Sequence, residues 1–216
     1  MSLTRIIAIV GALGTIAALL LQYDLQFAAM PGVAAPAVTW RYFGYFTILT
    51  NWLVVAVWCG AALGAPTRLN RPRIEGMALT SIAMVGIIYH ALLASRWRPE
   101  GAQWMADFMV HSVTPILFVL YWLVRPHGAL KWRDAVLFAL WPLGYCIYAL
   151  ARGALDGWYA YYFLDPSTTP LPRLAVNIAM QTAGFAAAGF IVIAADKALA
   201  ARASRSPQPS ASPSAP

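Results

Sequence analysis

Residues 76–95 read GMALTSIAMVGIIYHALLAS, with no Asp, Glu, Lys or Arg anywhere in the run. At about 1.5 Å of rise per residue, a helix of this length crosses the ~30 Å hydrocarbon core of a bilayer. The run also carries His90, an imidazole at membrane depth. Such a group is costly to bury without a partner, so this stretch fixes the fold class and also points to a site.

Windows of the same kind fit at about 5–23, 42–64, 75–95, 104–124, 135–153 and 174–196. Over 216 residues the chain is 61% hydrophobic and 11% charged, which excludes an ordinary soluble domain. The apolar runs are about twice the length of a barrel strand and do not alternate, so an all-α polytopic bundle of six transmembrane helices is expected. The linkers are too short for an inserted domain. Residues 1–198 are therefore read as one transmembrane domain, and 199–216, rich in Ser, Pro and Ala, as a disordered cytoplasmic tail. The first window resembles a signal sequence but is long, and it is read as a retained helix. Cys59 and Cys146 fall in apolar windows and read as packing residues.

Arg5, Arg68, Arg71, Arg73, Arg125, Lys131, Arg133, Lys197, Arg202 and Arg205 lie on the side of the termini and outnumber Arg41, Arg96, Arg98, Arg152 and Arg173 opposite. The asymmetry predicts a multi-pass protein of the cell membrane with both termini cytoplasmic. The net charge of +7 is then accounted for by loops facing anionic lipid. The expected partners are membrane lipid and a lipid-like substrate, with no nucleic acid.

With that topology, Thr47, His90 and His111 lie roughly 7–11 Å inside the outer boundary. Asn177 and Gln181 fall at similar depth, and Gln22, Tyr23 and Asp24 close the outer end of the first helix. Thr47, Thr50 and Asn51 stand at i, i+3 and i+4, and so do Asp107, His111 and Thr114 in the fourth window, each set forming one polar face. A carboxylate one turn from an imidazole holds its tautomer. A hydroxyl facing that imidazole becomes a nucleophile, and a nearby amide can donate to an oxyanion. Thr47, His111, Asp107 and Asn51 fit the roles of nucleophile, base, orienting acid and oxyanion donor; Thr50, His90, Asn177, Gln181, Trp158 and Tyr159 are candidate supporting or substrate-binding residues.

Other roles stay open to each. A membrane threonine bonds its own preceding carbonyl, Asn51 suits an interhelical tie, and Asp107 is near enough to the boundary to be solvated. His90 and His111 at one depth also suit a haem or a metal held between two imidazoles in a non-catalytic binding or transport protein. No cofactor and no metal enters the leading reading. The loop from Arg152 to Pro166, with Trp158, Tyr159, Tyr161, Tyr162 and Phe163, reads as an interfacial belt or as a folded cap over the polar layer; Trp97 and Trp104 read as belt. Pro115 and Pro142 predict kinks, and the one beside His111 opens backbone room there.

The run Tyr42-Phe43-Gly44-Tyr45-Phe46-Thr47-Ile48-Leu49-Thr50-Asn51, the Tyr89-His90 pair, the stretch from Gln103-Trp104 through His111 and Pro115 to Trp122, and the segment Arg152-Gly153 to Asp165-Pro166 resemble the bacterial Pr-six-Pr family of six-helix membrane proteins. They are more distantly similar to the androgen-induced membrane hydrolases, six-helix enzymes that cleave fatty acid esters of hydroxy fatty acids with a threonine and a histidine. That likeness implies Thr47 as nucleophile, with Thr50 a competing match, and His111 as its partner. From the bacterial pattern the sequence departs at Tyr121, where an acidic residue is expected before Trp122. The expected function is intramembrane hydrolysis of a fatty acyl ester.

Overall fold

The structure is a computed structural model that describes residues 1–64, 67–95 and 98–205. Arg96, Trp97 and the tail from residue 206 lie outside the described residues. The elements are α1 (Leu3–Ala28), α2 (Ala35–Tyr42), α3 (Phe46–Leu63), α4 (Pro72–Ile88), α5 (Gly101–Phe108), α6 (Thr114–Leu123), α7 (Asp134–Asp156) and α8 (Leu171–Arg205), with no strand among the described residues. Six segments are long and apolar enough to cross a membrane: Leu3–Ala28, Phe46–Leu63, Pro72–Leu93, Gly101–Leu123, Asp134–Asp156 and Leu171–Arg205. The protein is thus an all-α, multi-pass bundle, and α8 runs on as helix past residue 199, where the tail was expected to begin.

Two spans are not uniform. The fourth-window helix passes through a π-turn at Met109–Val113, and α4 ends in another at Tyr89–Leu93. Each π-turn contains one of the two membrane histidines. A π-turn inserts a residue and redirects the side chains beyond it, and such turns concentrate at functional sites. Thr114 shows the effect. Instead of sharing a face with Asp107 and His111, it turns to α1 and hydrogen-bonds the Thr15 hydroxyl at 2.9 Å.

The break between α2 and α3 sets where α3 begins. Tyr145 Oη donates to the Gly44 carbonyl at 2.8 Å and Tyr148 Oη to the Phe43 carbonyl at 3.0 Å, so α7 holds both exposed carbonyls. Arg152, only 4% exposed, fills the space beneath. Its guanidinium donates to the Trp40 carbonyl at 2.6 Å and stacks 4.1 Å from the Trp40 ring centroid. Gly44 is required there because any side chain would run into Arg152 and the Trp158 ring.

At the opposite end of the bundle Glu75, 3% exposed, accepts from Arg125 at 2.8 and 3.2 Å and from Tyr121 Oη at 2.8 Å. Tyr121 thus serves as a donor to a carboxylate from α4. Asp196 similarly takes the Leu130 amide at 3.0 Å and faces His127 at 3.3 Å. These buried acids tie the loop after α6 to α4 and α8. The apolar core between the two ends is built on Trp58, Phe118, Tyr121, Phe185 and Ile82, all fully buried. Cys59 is exposed and Cys146 buried, both as free thiols.

Candidate active site

Thr47 stands in the first turn of α3 and His111 in the π-turn after α5, and the fold brings them together. Thr47 Oγ1 is 3.3 Å from His111 Nε2. The other ring nitrogen, Nδ1, is 3.0 Å from the Asp107 carbonyl oxygen and 3.3 Å from its Oδ1. Two acceptors on that side fix the tautomer with the proton on Nδ1, which leaves the Nε2 lone pair aimed at the threonine hydroxyl. Asp107 is 8% exposed, buried rather than solvated, and its Oδ2 accepts a short hydrogen bond from Tyr89 Oη. The Tyr89 ring also stacks on His111, with centroids 4.0 Å apart and planes at 14°. The result is a chain Tyr89, Asp107, His111, Thr47 drawn from three spans, in which every member has a fixed neighbour.

Asn51 takes a different place from the one its spacing predicted. Its amide nitrogen donates to the Thr47 carbonyl at 2.8 Å and to the Val110 carbonyl at 3.3 Å. The π-turn explains the second bond. Thr114 N–H reaches back to the Met109 carbonyl in the i→i+5 register, and the next donor in that register would be residue 115, a proline with no N–H. Val110 is left with a free carbonyl, and Asn51 satisfies it. Asn51 is therefore a positioning residue that clamps α3 to the π-turn one helical turn from Thr47. Its donors are occupied, so it is not an oxyanion donor. Asn51→Leu, which keeps the branching at Cγ but has no donor, leaves the Val110 carbonyl unpaired and is expected to lower any activity of the site about tenfold, with stability reduced by about 1–3 kcal/mol. Turnover and thermal unfolding of the variant in detergent check this together.

The remaining candidates divide. Thr50 is fully buried and accepts from Trp141 Nε1 at 3.1 Å, away from His111, so Thr47 is the threonine of the pair. His90 Nε2 lies 3.0 Å from Ser112 Oγ. The Tyr89 ring touches both imidazoles, edge-on to His90 with centroids 5.1 Å apart. Each histidine's Nε2 thus already faces a hydroxyl, and the geometry does not present two free nitrogens to a haem or metal ion between them. Among the described residues no group of three or more His, Cys, Asp or Glu side chains is arranged to hold a metal. Trp158 packs over Arg41, 4.5 Å from its guanidinium, and Tyr159 fills the space over Gly153. Both support the cap without lining the site.

Two cavities meet at the Thr47 and His111 pair. One, of 330 Å³, is walled by Phe46, Val85, Ile88, Tyr89, Leu92, Leu93, Tyr145, the loop residues Tyr161, Tyr162 and Phe163, and Asn177, Met180 and Gln181 of α8. Its rim residues Leu92, Tyr162 and Met180 are exposed, so it opens sideways on the apolar flank of the bundle. The other, of 280 Å³, is walled by Gln22, Tyr45, Gln103 and Asp107 among others, and Gln103 Nε2 donates to Gln22 Oε1 across it at 2.9 Å. An apolar chamber and a polar one thus share the hydroxyl–imidazole pair as their common wall.

Sequence reasoning missed Tyr89 and Tyr161. Tyr161 lines the apolar chamber together with Phe46, Thr47 and His111. Burial pushes its phenol up to about 12. Asn177 Nδ2 donates to the Phe163 carbonyl at 3.0 Å, holding the loop over the apolar chamber. The segment Tyr161 to Phe163 is therefore a folded cap. No protein-family profile, no curated protein and no solved structure matches the chain.

Proposed function

We propose that this protein is an intramembrane hydrolase of fatty acyl esters, with Thr47 as nucleophile and His111 as general base and acid. The observation that carries the reading is the Thr47 Oγ1 to His111 Nε2 approach of 3.3 Å at the junction of an apolar and a polar chamber. The threonine and histidine of the androgen-induced membrane hydrolases, which the sequence distantly resembles, agree with it.

In the first half-reaction Thr47 Oγ bonds to the ester carbonyl carbon and its proton passes to Nε2. The imidazolium so formed is stabilised by Asp107, whose carboxylate accepts from Nδ1–H. Collapse breaks the carbon–oxygen bond to the alcohol, and the leaving alkoxide takes the proton from Nε2. In the second half a water from the polar chamber gives a proton to Nε2 and adds its oxygen to the acyl carbon, and Thr47 leaves as the free hydroxyl. The acyl chain occupies the apolar chamber throughout. The distribution of basic residues supports cytoplasmic termini in the cell membrane, which puts this chemistry in the outer leaflet.

A long-chain alkyl fluorophosphonate tests the assignment. The detergent-solubilised protein is expected to acquire one adduct, mapped by peptide mass spectrometry to Thr47, and Thr47→Val is expected to acquire none. An adduct that persists in Thr47→Val, or a wild-type protein that hydrolyses long-chain esters without being labelled, removes the assignment.

A further inference from the structure

A third cavity, of 460 Å³, runs between α4 and α6, and His111 lines it together with His90 and Ser112. Ala83, Ile87 and His90 stand at i, i+4 and i+7, and Ser112, Ile116 and Leu120 at i, i+4 and i+8, so each span presents one stripe to it. The helices touch at Gly86, where a Cβ would come within 3.1 Å of the His111 carbonyl and 3.4 Å of Pro115, and this close approach forms the floor. Ile87, Ile116 and Leu120 are exposed along its edges. The polar groups are gathered at one end, in the two π-turns, where His90 Nε2 lies 3.0 Å from Ser112 Oγ. From there to Ala83 the groove follows seven residues of helix, about 10 Å of apolar wall.

Ser112, 8% exposed, fixes one side of the His90 ring. The ring itself is exposed, and its Nδ1 has no hydrogen-bond partner among the described residues. An imidazole nitrogen without a partner at membrane depth is costly. The other two histidines show how this chain meets that cost: His111 faces Asp107 and His127 faces Asp196, each at 3.3 Å. Among the described residues no carboxylate is paired with His90 in this way, yet His90 stands at the end of an apolar groove. We infer that the groove binds a long-chain fatty acid, its carboxyl group paired with His90 and its chain laid between the stripes of α4 and α6. Acid and imidazole together carry no net charge whichever of them holds the proton, so the penalty of burying a lone ion is avoided. A lipid ester has no acid group to complete such a pair. The site stands apart from the hydrolase reading, which adds only a source, since the acyl product of the Thr47 reaction is of the same class. The Tyr89 ring touches both imidazoles, stacked on His111 and edge-on to His90, so the bound acid lies one ring away from the proposed base.

Palmitic acid carrying a mid-chain diazirine tests the site in phosphatidylcholine vesicles that hold the protein. Photolysis is expected to crosslink Ala83, Ile87, Ile116 or Leu120, mapped by peptide mass spectrometry. Unlabelled palmitic acid is expected to compete about tenfold better than its methyl ester, which keeps the chain and lacks the acid. His90→Leu is expected to lower the crosslink by a similar factor, and Ala83→Phe, which fills the far end of the groove, to lower it with His90 intact. Thr47→Val is expected to label like the wild type, so loss of the nucleophile assignment leaves this site standing, and failure here leaves the Thr47 assignment untouched. Equal competition by acid and methyl ester shows a groove covered by ordinary lipid and overturns the inference. So does a crosslink confined to Tyr162 and Met180 of the apolar chamber, or undiminished labelling in folded His90→Leu. Should His90→Leu not fold, the competition on the wild type decides alone.

Discussion

His111→Gln is expected to lower ester hydrolysis by about 10⁴-fold while the protein stays folded. Glutamine fills similar space and brings its amide to the position of Nε2, but it carries no basic nitrogen to take the proton of Thr47 and gives up the Nδ1 contacts to Asp107. The size of the expected loss follows from what a base does for a hydroxyl: without one the nucleophile is a neutral alcohol, and removal of such a group from a coupled nucleophile–base unit leaves only binding and oxyanion stabilisation, worth about 10³–10⁴-fold over water. The measurement is kcat/KM on a long-chain ester in detergent or bilayers, with the unfolding temperature as control. Tyr89→Phe provides the contrast. It keeps the stacked ring at 4.0 Å and removes only the hydroxyl that bonds Asp107, so its loss should be far smaller. Hydrolysis in His111→Gln within tenfold of wild type would show that the imidazole is not the base.

Arg125→Ala is expected to destabilise the bundle by about 3–5 kcal/mol without touching the site. The Arg125 side chain is itself a quarter exposed, but Glu75, its bidentate partner, is 4% exposed at the side chain. Removing the arginine leaves that carboxylate with Tyr121 alone. The unpaired buried charge, rather than the lost attraction, sets the magnitude. The double variant Glu75→Leu/Arg125→Leu should therefore recover most of the loss, since an apolar pair of similar volume is often neutral in place of a buried ion pair. Thermal unfolding in detergent reads both, and a double variant no more stable than the single would show that the pair's worth lies in packing.

The sequence carried the pairing of Thr47 with His111 because depth along a helix can be counted, and counting put both in one layer. It carried Asp107 with His111 because a four-residue interval survives up to the π-turn. Beyond that point the interval failed: Thr114 rotated away to Thr15, and Asn51 was drawn to a carbonyl whose freedom depends on a proline and a π-turn acting together. A period of 3.6 has no means of announcing an inserted residue. Tyr89 and Tyr161 were hidden for another reason. Tyrosines near membrane boundaries are common as interfacial anchors, and only the fold shows that one bonds Asp107 and the other lines the apolar chamber with Thr47. The short helix α2 lies in what reads as linker before the second window, and the break at Phe43 and Gly44 falls inside that window because it is held by Tyr145, Tyr148 and Arg152, residues a hundred positions away.

The apolar chamber has its mouth among Leu92, Tyr162 and Met180, on the flank that acyl chains of the bilayer would cover. A molecule that enters there has already dissolved in the membrane, so its encounter rate is set by two-dimensional diffusion and by its mole fraction among the lipids. Occupancy would then fall as detergent or inert lipid is added, even at constant total amount, in the manner of surface dilution.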